Sequence, residues 1–151
     1  MTRRQFLNTV FATAGEMGLA QVAHAHAPQT KPRRVADGVH VQDSIVIPAG
    51  ETWAAESVAL FVRADGRPPS VDIQPGATAR NLWFVGVKET DPDTQAVCYL
   101  HDDATADNCA FAGYFGGFAV GTHVRGKLTN NLFVRCGTGD KSHPVYVSNW
   151  N

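Results

Sequence analysis

Apolar residues along this chain come in short runs closed by Gly, Pro, Asn or Asp. Ser44-Ile45-Val46-Ile47 stops at Pro48-Ala49-Gly50, and a second run starts by Trp53. Val58-Ala59-Leu60-Phe61-Val62 stops at Ala64-Asp65-Gly66, and Val71-Asp72-Ile73 stops at Pro75-Gly76 before another run at Leu82. Val97-Cys98-Tyr99-Leu100 continues the series. Runs of this length between turn residues predict strands, and Pro-x-Gly and Asp-Gly supply the turns. Further on, Val120, Thr122 and Val124 alternate with polar residues, which predicts that His123 and Arg125 point the other way. Val145 and Val147 are set against Tyr146 and Ser148 in the same manner. No stretch carries a helical period of useful length.

One phrase recurs among these runs. Asn81-Leu82-Trp83-Phe84, Asn108-Cys109-Ala110-Phe111 and Asn130-Asn131-Leu132-Phe133 all read Asn-x-x-Phe, with Phe-to-Phe spacings of 27 and 22 residues. Self-similarity at this period is the mark of stacked repeats. The expected fold is all-β: a right-handed parallel β-helix in which equivalent positions of successive coils form ladders. A β-sandwich whose strands happen to contain Phe is the alternative. The polar stretch 88–94 reads as a loop projecting from a coil, which accounts for the longer spacing. Gly113, Gly116 and Gly117 among aromatics suit tight corners.

Composition narrows the class. The 151 residues are 44% hydrophobic, enough for one packed domain, with 14 Gly and 8 Pro favouring turns over long helices. The formal net charge of −1 gives no field that would drive nucleic-acid binding. No apolar run is long enough to span a bilayer. Cys98, Cys109 and Cys136 lack Cys-x-x-Cys spacing and read as inward-facing small hydrophobes; one disulfide is open to an exported protein.

The first residues read as an address. Thr2-Arg3-Arg4-Gln5-Phe6-Leu7 closely resembles the twin-arginine (Tat) export motif, and Val10 to Ala23 follows as a mildly apolar stretch interrupted by Glu16. Ala23, Ala25 and Ala27 offer A-x-A cleavage sites. The expected organisation is a signal peptide over 1–27, a flexible leader over 28–36 and the β-helix domain over 37–151. The resemblance implies export through the Tat translocase to the periplasm or beyond. At 22 to 27 residues per coil, the exported part makes roughly five coils. The last apparent strand has no cap, so the expectation is a fragment of a longer solenoid, or a last coil covered by oligomerisation.

Candidate chemistry is concentrated in the second half. Residues 89–107 hold six acids (Glu89, Asp91, Asp93, Asp102, Asp103 and Asp107) and no Lys or Arg, whereas 121–139 hold Arg125, Lys127 and Arg135 and no acid. In a solenoid these segments lie about one coil apart. An acidic edge beside a basic one could bind a uronate polymer, with or without calcium bridging the carboxylates, although the Gly and Glu of an EF-hand loop are missing. No other cofactor is indicated. No pair of carboxylates has a spacing that points to a glycosidase.

Gly139-Asp140-Lys141-Ser142-His143-Pro144-Val145-Tyr146-Val147-Ser148 resembles the His-Gly-Ile-Tyr-Ile-Ser phrase of secreted right-handed β-helix proteins, with Pro144 in place of Gly. The Ile47-Pro48-Ala49-Gly50 phrase likewise resembles the first coils of pectate-lyase-like proteins. What this resemblance implies is a polysaccharide lyase that cleaves uronic-acid polymers by β-elimination, or a non-catalytic carbohydrate-binding β-helix. In the lyase, a base removes the proton alpha to a carboxylate, a cation neutralises that carboxylate, and an acid protonates the leaving oxygen. His143 or Lys141 is the candidate base, Arg135 or Arg125 the neutraliser and Tyr146 the acid. His123, Arg125 and Lys127 are the candidate substrate contacts.

Overall fold

The computed structural model describes residues 32–87, 98–114, 118–136 and 143–148. Their regular structure is thirteen strands. These are β1 (Arg33–Val35), β2 (Gly38–Val41), β3 (Ser44–Ile47), β4 (Thr52–Val62), β5 (Ser70–Ile73), β6 (Thr78–Val85) and β7 (Cys98–Leu100), followed by β8 (Thr105–Asp107), β9 (Ala110–Ala112), β10 (Phe118–His123), β11 (Lys127–Thr129), β12 (Leu132–Val134) and β13 (His143–Ser148). Every pairing is parallel. One sheet orders β3, β5, β7, β10 and β13; the other gathers the remaining eight. The chain alternates between them, so each coil donates one strand to the first sheet and one bent strand, or two short ones, to the second. This is a parallel β-helix of about four turns, consistent with a right-handed winding.

The repeat phrase marks the bend within each coil. Asn81, Asn108 and Asn130 all have left-handed backbone, with φ between 52° and 58°. Asn is among the few non-Gly residues that visit this region readily. Asn108 Nδ2 donates to Asn81 Oδ1 at 2.8 Å, and Asn81 Nδ2 donates to the Ala55 carbonyl at 2.9 Å. Three residues on, Phe84 stacks on Phe111 at 5.5 Å and Phe111 on Phe133 at 5.3 Å. The ladder extends further back than the phrase does: Phe61 lies 5.7 Å from Phe84, and His40 stacks on Phe61 at 4.9 Å. No Asn precedes Phe61 by three residues, because β4 shifts register between Ala54 and Ala59. The phrase therefore hid two of the five rungs.

The other corner is built by stacked turns. Gly50 N–H donates to the Pro75 carbonyl, and Gly76 N–H to the Asp102 carbonyl. Gly50, Gly76 and Asp103 take positive φ there. Inside the helix, Ile45, Val71, Cys98 and Val120 form one buried ladder, and Ile47, Ile73, Leu100 and Thr122 the next. Burying each Val, Leu, Ile or Phe contributes roughly 1.5–3 kcal/mol, repeated at every rung. The three cysteines are free, with Cys98 and Cys109 buried, as the inward-facing reading expects.

Two expectations shift. Val124 does not continue the inward row: it is exposed in a turn after β10, and Arg125 is a turn residue rather than a strand residue. The first strand, β1, starts within the stretch read as a leader. The signal segment and the loop at 88–94 lie outside the described residues.

Candidate functional site on the outer face of the five-stranded sheet

Register fixes which side chains share this face. Asp72, Tyr99, Gly121 and Tyr146 occupy one rung position in successive coils. Two residues along each strand, toward the stacked turns, stand Gln74, His101, His123 and Ser148. Alternation with the buried rows turns both ladders outward.

These groups are linked. His101 Nε2 lies 2.8 Å from Asp72 Oδ1, and Gln74 Nε2 donates to Asp72 Oδ2 at 2.6 Å. A carboxylate held on both oxygens fixes the imidazole that it faces. The His101 and His123 rings are 5.5 Å apart. His123 Nδ1 is 3.5 Å from Asp102 Oδ1, and Asp102 Oδ2 accepts from Arg125 at 3.0 Å. Arg125 also pairs with Asp103 at 3.2 Å. The acidic and basic segments noted in the sequence therefore meet across one coil at this turn and offset each other. Tyr99, Leu100, His101, Gly121 and His123 line an open pocket of about 190 Å³.

The sequence candidates distribute unevenly over this geometry. His123, Arg125 and Tyr146 belong to this face and its adjoining turn. His143 is three residues before Tyr146 in the same strand, an odd spacing that places the two on opposite faces. Lys127 pairs with Thr105 in the other sheet, beyond the turn. Arg135 follows β12 at the corner away from the stacked turns, with a left-handed φ of 51°. Lys141 lies outside the described residues. Among the described residues, no group of three or more His, Cys, Asp or Glu is placed to hold a metal ion.

Asp72, Tyr99, His101 and Gly121 are the members that motif reading missed. A signal was present: His101 and His123 are 22 residues apart, the spacing of Phe111 and Phe133, and Asp72 and Tyr99 are 27 apart, the spacing of Phe84 and Phe111. Comparison with protein-family models, curated proteins and solved structures finds no match to this chain.

Proposed function

We propose that this chain is a Tat-exported, pectate-lyase-like β-helix protein that acts on uronic-acid polymers by β-elimination, with its site on the outer face of the five-stranded sheet. The observation that carries the reading is the His101–His123 pair beside Tyr99, buttressed by Asp72 and Asp102. His123 takes the role of base, and Asp102 near its Nδ1 orients the ring with Nε2 free to accept the proton. Tyr99 is the acid for the leaving oxygen, and Arg125 is the cation nearest the base. Thr2-Arg3-Arg4-Gln5-Phe6-Leu7 supports export to the periplasm or beyond.

One observation favours binding without turnover. Arg125 is already held by two carboxylates, so a uronate must displace Asp102 or Asp103 before its own charge is neutralised. The test is incubation of the purified protein with a panel of uronans, following the ultraviolet absorbance of unsaturated uronic-acid products. The lyase reading expects product with at least one uronan, and a loss of about 100-fold or more in His123→Ala. Binding to a uronan with no product, unchanged in His123→Ala, would leave the non-catalytic carbohydrate-binding reading in its place.

A further inference from the structure

The other sheet has an outward face of a different character. On β2, β4, β6, β9 and β12, which stack in that order, register puts Val39, Leu60, Trp83, Ala110 and Leu132 in one outward row. The next outward position, two residues on, holds Val41, Val62, Val85, Ala112 and Val134. All ten side chains are apolar. Parallel strands that are apolar on both sides are strands covered on both sides. Here the inner side is covered by the aromatic ladder, whereas outside Val39 is 66% exposed, Val41 63%, Leu132 53%, Val134 40% and Trp83 39%. Five strands about 4.8 Å apart and two outward positions about 6.6 Å apart make a face of roughly 24 Å by 13 Å, about 300 Å² in plan.

We infer that this face joins two copies of the chain in a closed twofold dimer, sheet on sheet. A homodimer interface at the small end buries about 600 Å² per partner, about 65% of it apolar, and so needs roughly 400 Å² of apolar surface. Projecting side chains expose more area than their plan, so the face has the size that a modest dimer uses. Its ten side chains hold no charge, so two copies brought together meet no repulsion. The indole N–H of Trp83 is their one hydrogen-bonding group, which leaves the hydroxyls of a polysaccharide without partners. Outside the described residues only Val10 to Ala23 is apolar at length, and the proposed export signal uses it. Facing sheets pack about 10 Å apart with their side chains interdigitated. The twofold axis lies between the two faces. With the faces fully overlapped, β6 is the third of five strands and meets its own copy, whether the helix axes run parallel or antiparallel. Trp83 is therefore at the centre of the contact, where a buried aromatic contributes most. The candidate site on the five-stranded sheet takes no part in it.

The test is sedimentation equilibrium of the purified full chain across the micromolar range, with circular dichroism to confirm that each variant is folded. The wild type should show a monomer–dimer equilibrium. Trp83→Glu sets two carboxylates against each other in the middle of an apolar contact and should raise the dimer Kd about 100-fold or more. Leu132→Glu, on an end strand and already half-exposed, should raise it about tenfold, and it keeps the test decisive if Trp83→Glu does not fold. Val46→Glu, exposed and outward on the five-stranded sheet, should stay within about twofold of the wild type. A wild type that remains a monomer, or that grows past the dimer, would overturn the inference. So would a dimer whose Kd is unchanged in Trp83→Glu and Leu132→Glu, which would place the contact on another surface.

Discussion

Single residues in this protein are constrained most tightly where coils touch through backbone. Gly113 has φ 79°, and a Cβ there would stand 2.2 Å from the Gly86 carbonyl oxygen, on an atom that cannot swing aside. Gly76 has a similar φ of 69°, but its nearest neighbours would be 4.0 Å away, in ordinary contact. The two positions separate conformational strain from collision. Gly76→Ala should cost roughly 1–2 kcal/mol, the left-handed penalty of an L-residue. Gly113→Ala should cost about 2 kcal/mol more than that, in the range of an overpacked core. Urea unfolding midpoints of the two variants measure the difference, and equal midpoints would mean that the corner relaxes freely around Gly86. The turns at both positions were legible in the sequence, but the collision at Gly113 was not. A glycine in a sequence advertises a turn, not which carbonyl will pass over it one coil later.

The element that organises the fold is the aromatic ladder, and its stacking predicts a gradient along the chain. Phe84 is fully buried between Phe61 and Phe111, whereas Phe133 is only partly buried, against Phe111. Phe84→Ala should destabilise by about 3–5 kcal/mol, the range for a buried Phe, and Phe133→Ala by clearly less. Chemical denaturation of the two variants checks the order; similar losses would mean that the outer rung is as tightly packed as the inner one. The same ladder explains what could be read from the sequence. Asn-x-x-Phe is visible because left-handed geometry and stacking each demand a particular residue at a particular place in the coil. The outward rows of the bent strands demand much less. Val39, Leu60, Trp83, Ala110 and Leu132 share one outward rung, so 58–62 and 82–85 read as continuous apolar runs without a face. The site suffered from the same difficulty. Asp72, Tyr99, His101 and His123 are scattered over three turn-separated segments, and only the coil period brings them together. His143 stood out through a local phrase, but strand parity sets it apart from Tyr146.

At the scale of the whole molecule, the ionisable groups are sorted by burial. The ion pairs of Arg34, Arg63, Arg80 and Arg125 each include at least one substantially exposed side chain, which screening leaves with little net stabilisation. Among the described residues, the deeply buried titratable groups include Cys98, Cys109 and Tyr114, and burial pushes all three up from their ordinary values, Cys109 to about 11. Each is neutral inside the fold and ionises more readily in the unfolded chain. A group whose folded value is raised contributes stability that is fully present below its unfolded value. For the thiols that value is near 9, and the contribution is lost as pH rises through the folded one. The β-helix should therefore hold its unfolding midpoint between pH 7 and roughly 8.5 and weaken progressively toward pH 11, with Cys109 alone responsible for up to about 3 kcal/mol. Cys109→Ala starts from a lower midpoint because its methyl leaves a small cavity, but its decline above pH 9 should be shallower than that of the wild type. Parallel declines would show that Cys109 does not carry this sensitivity. The loss would then have to come from Cys98 and Tyr114, whose burial within the same core gives them the same sign.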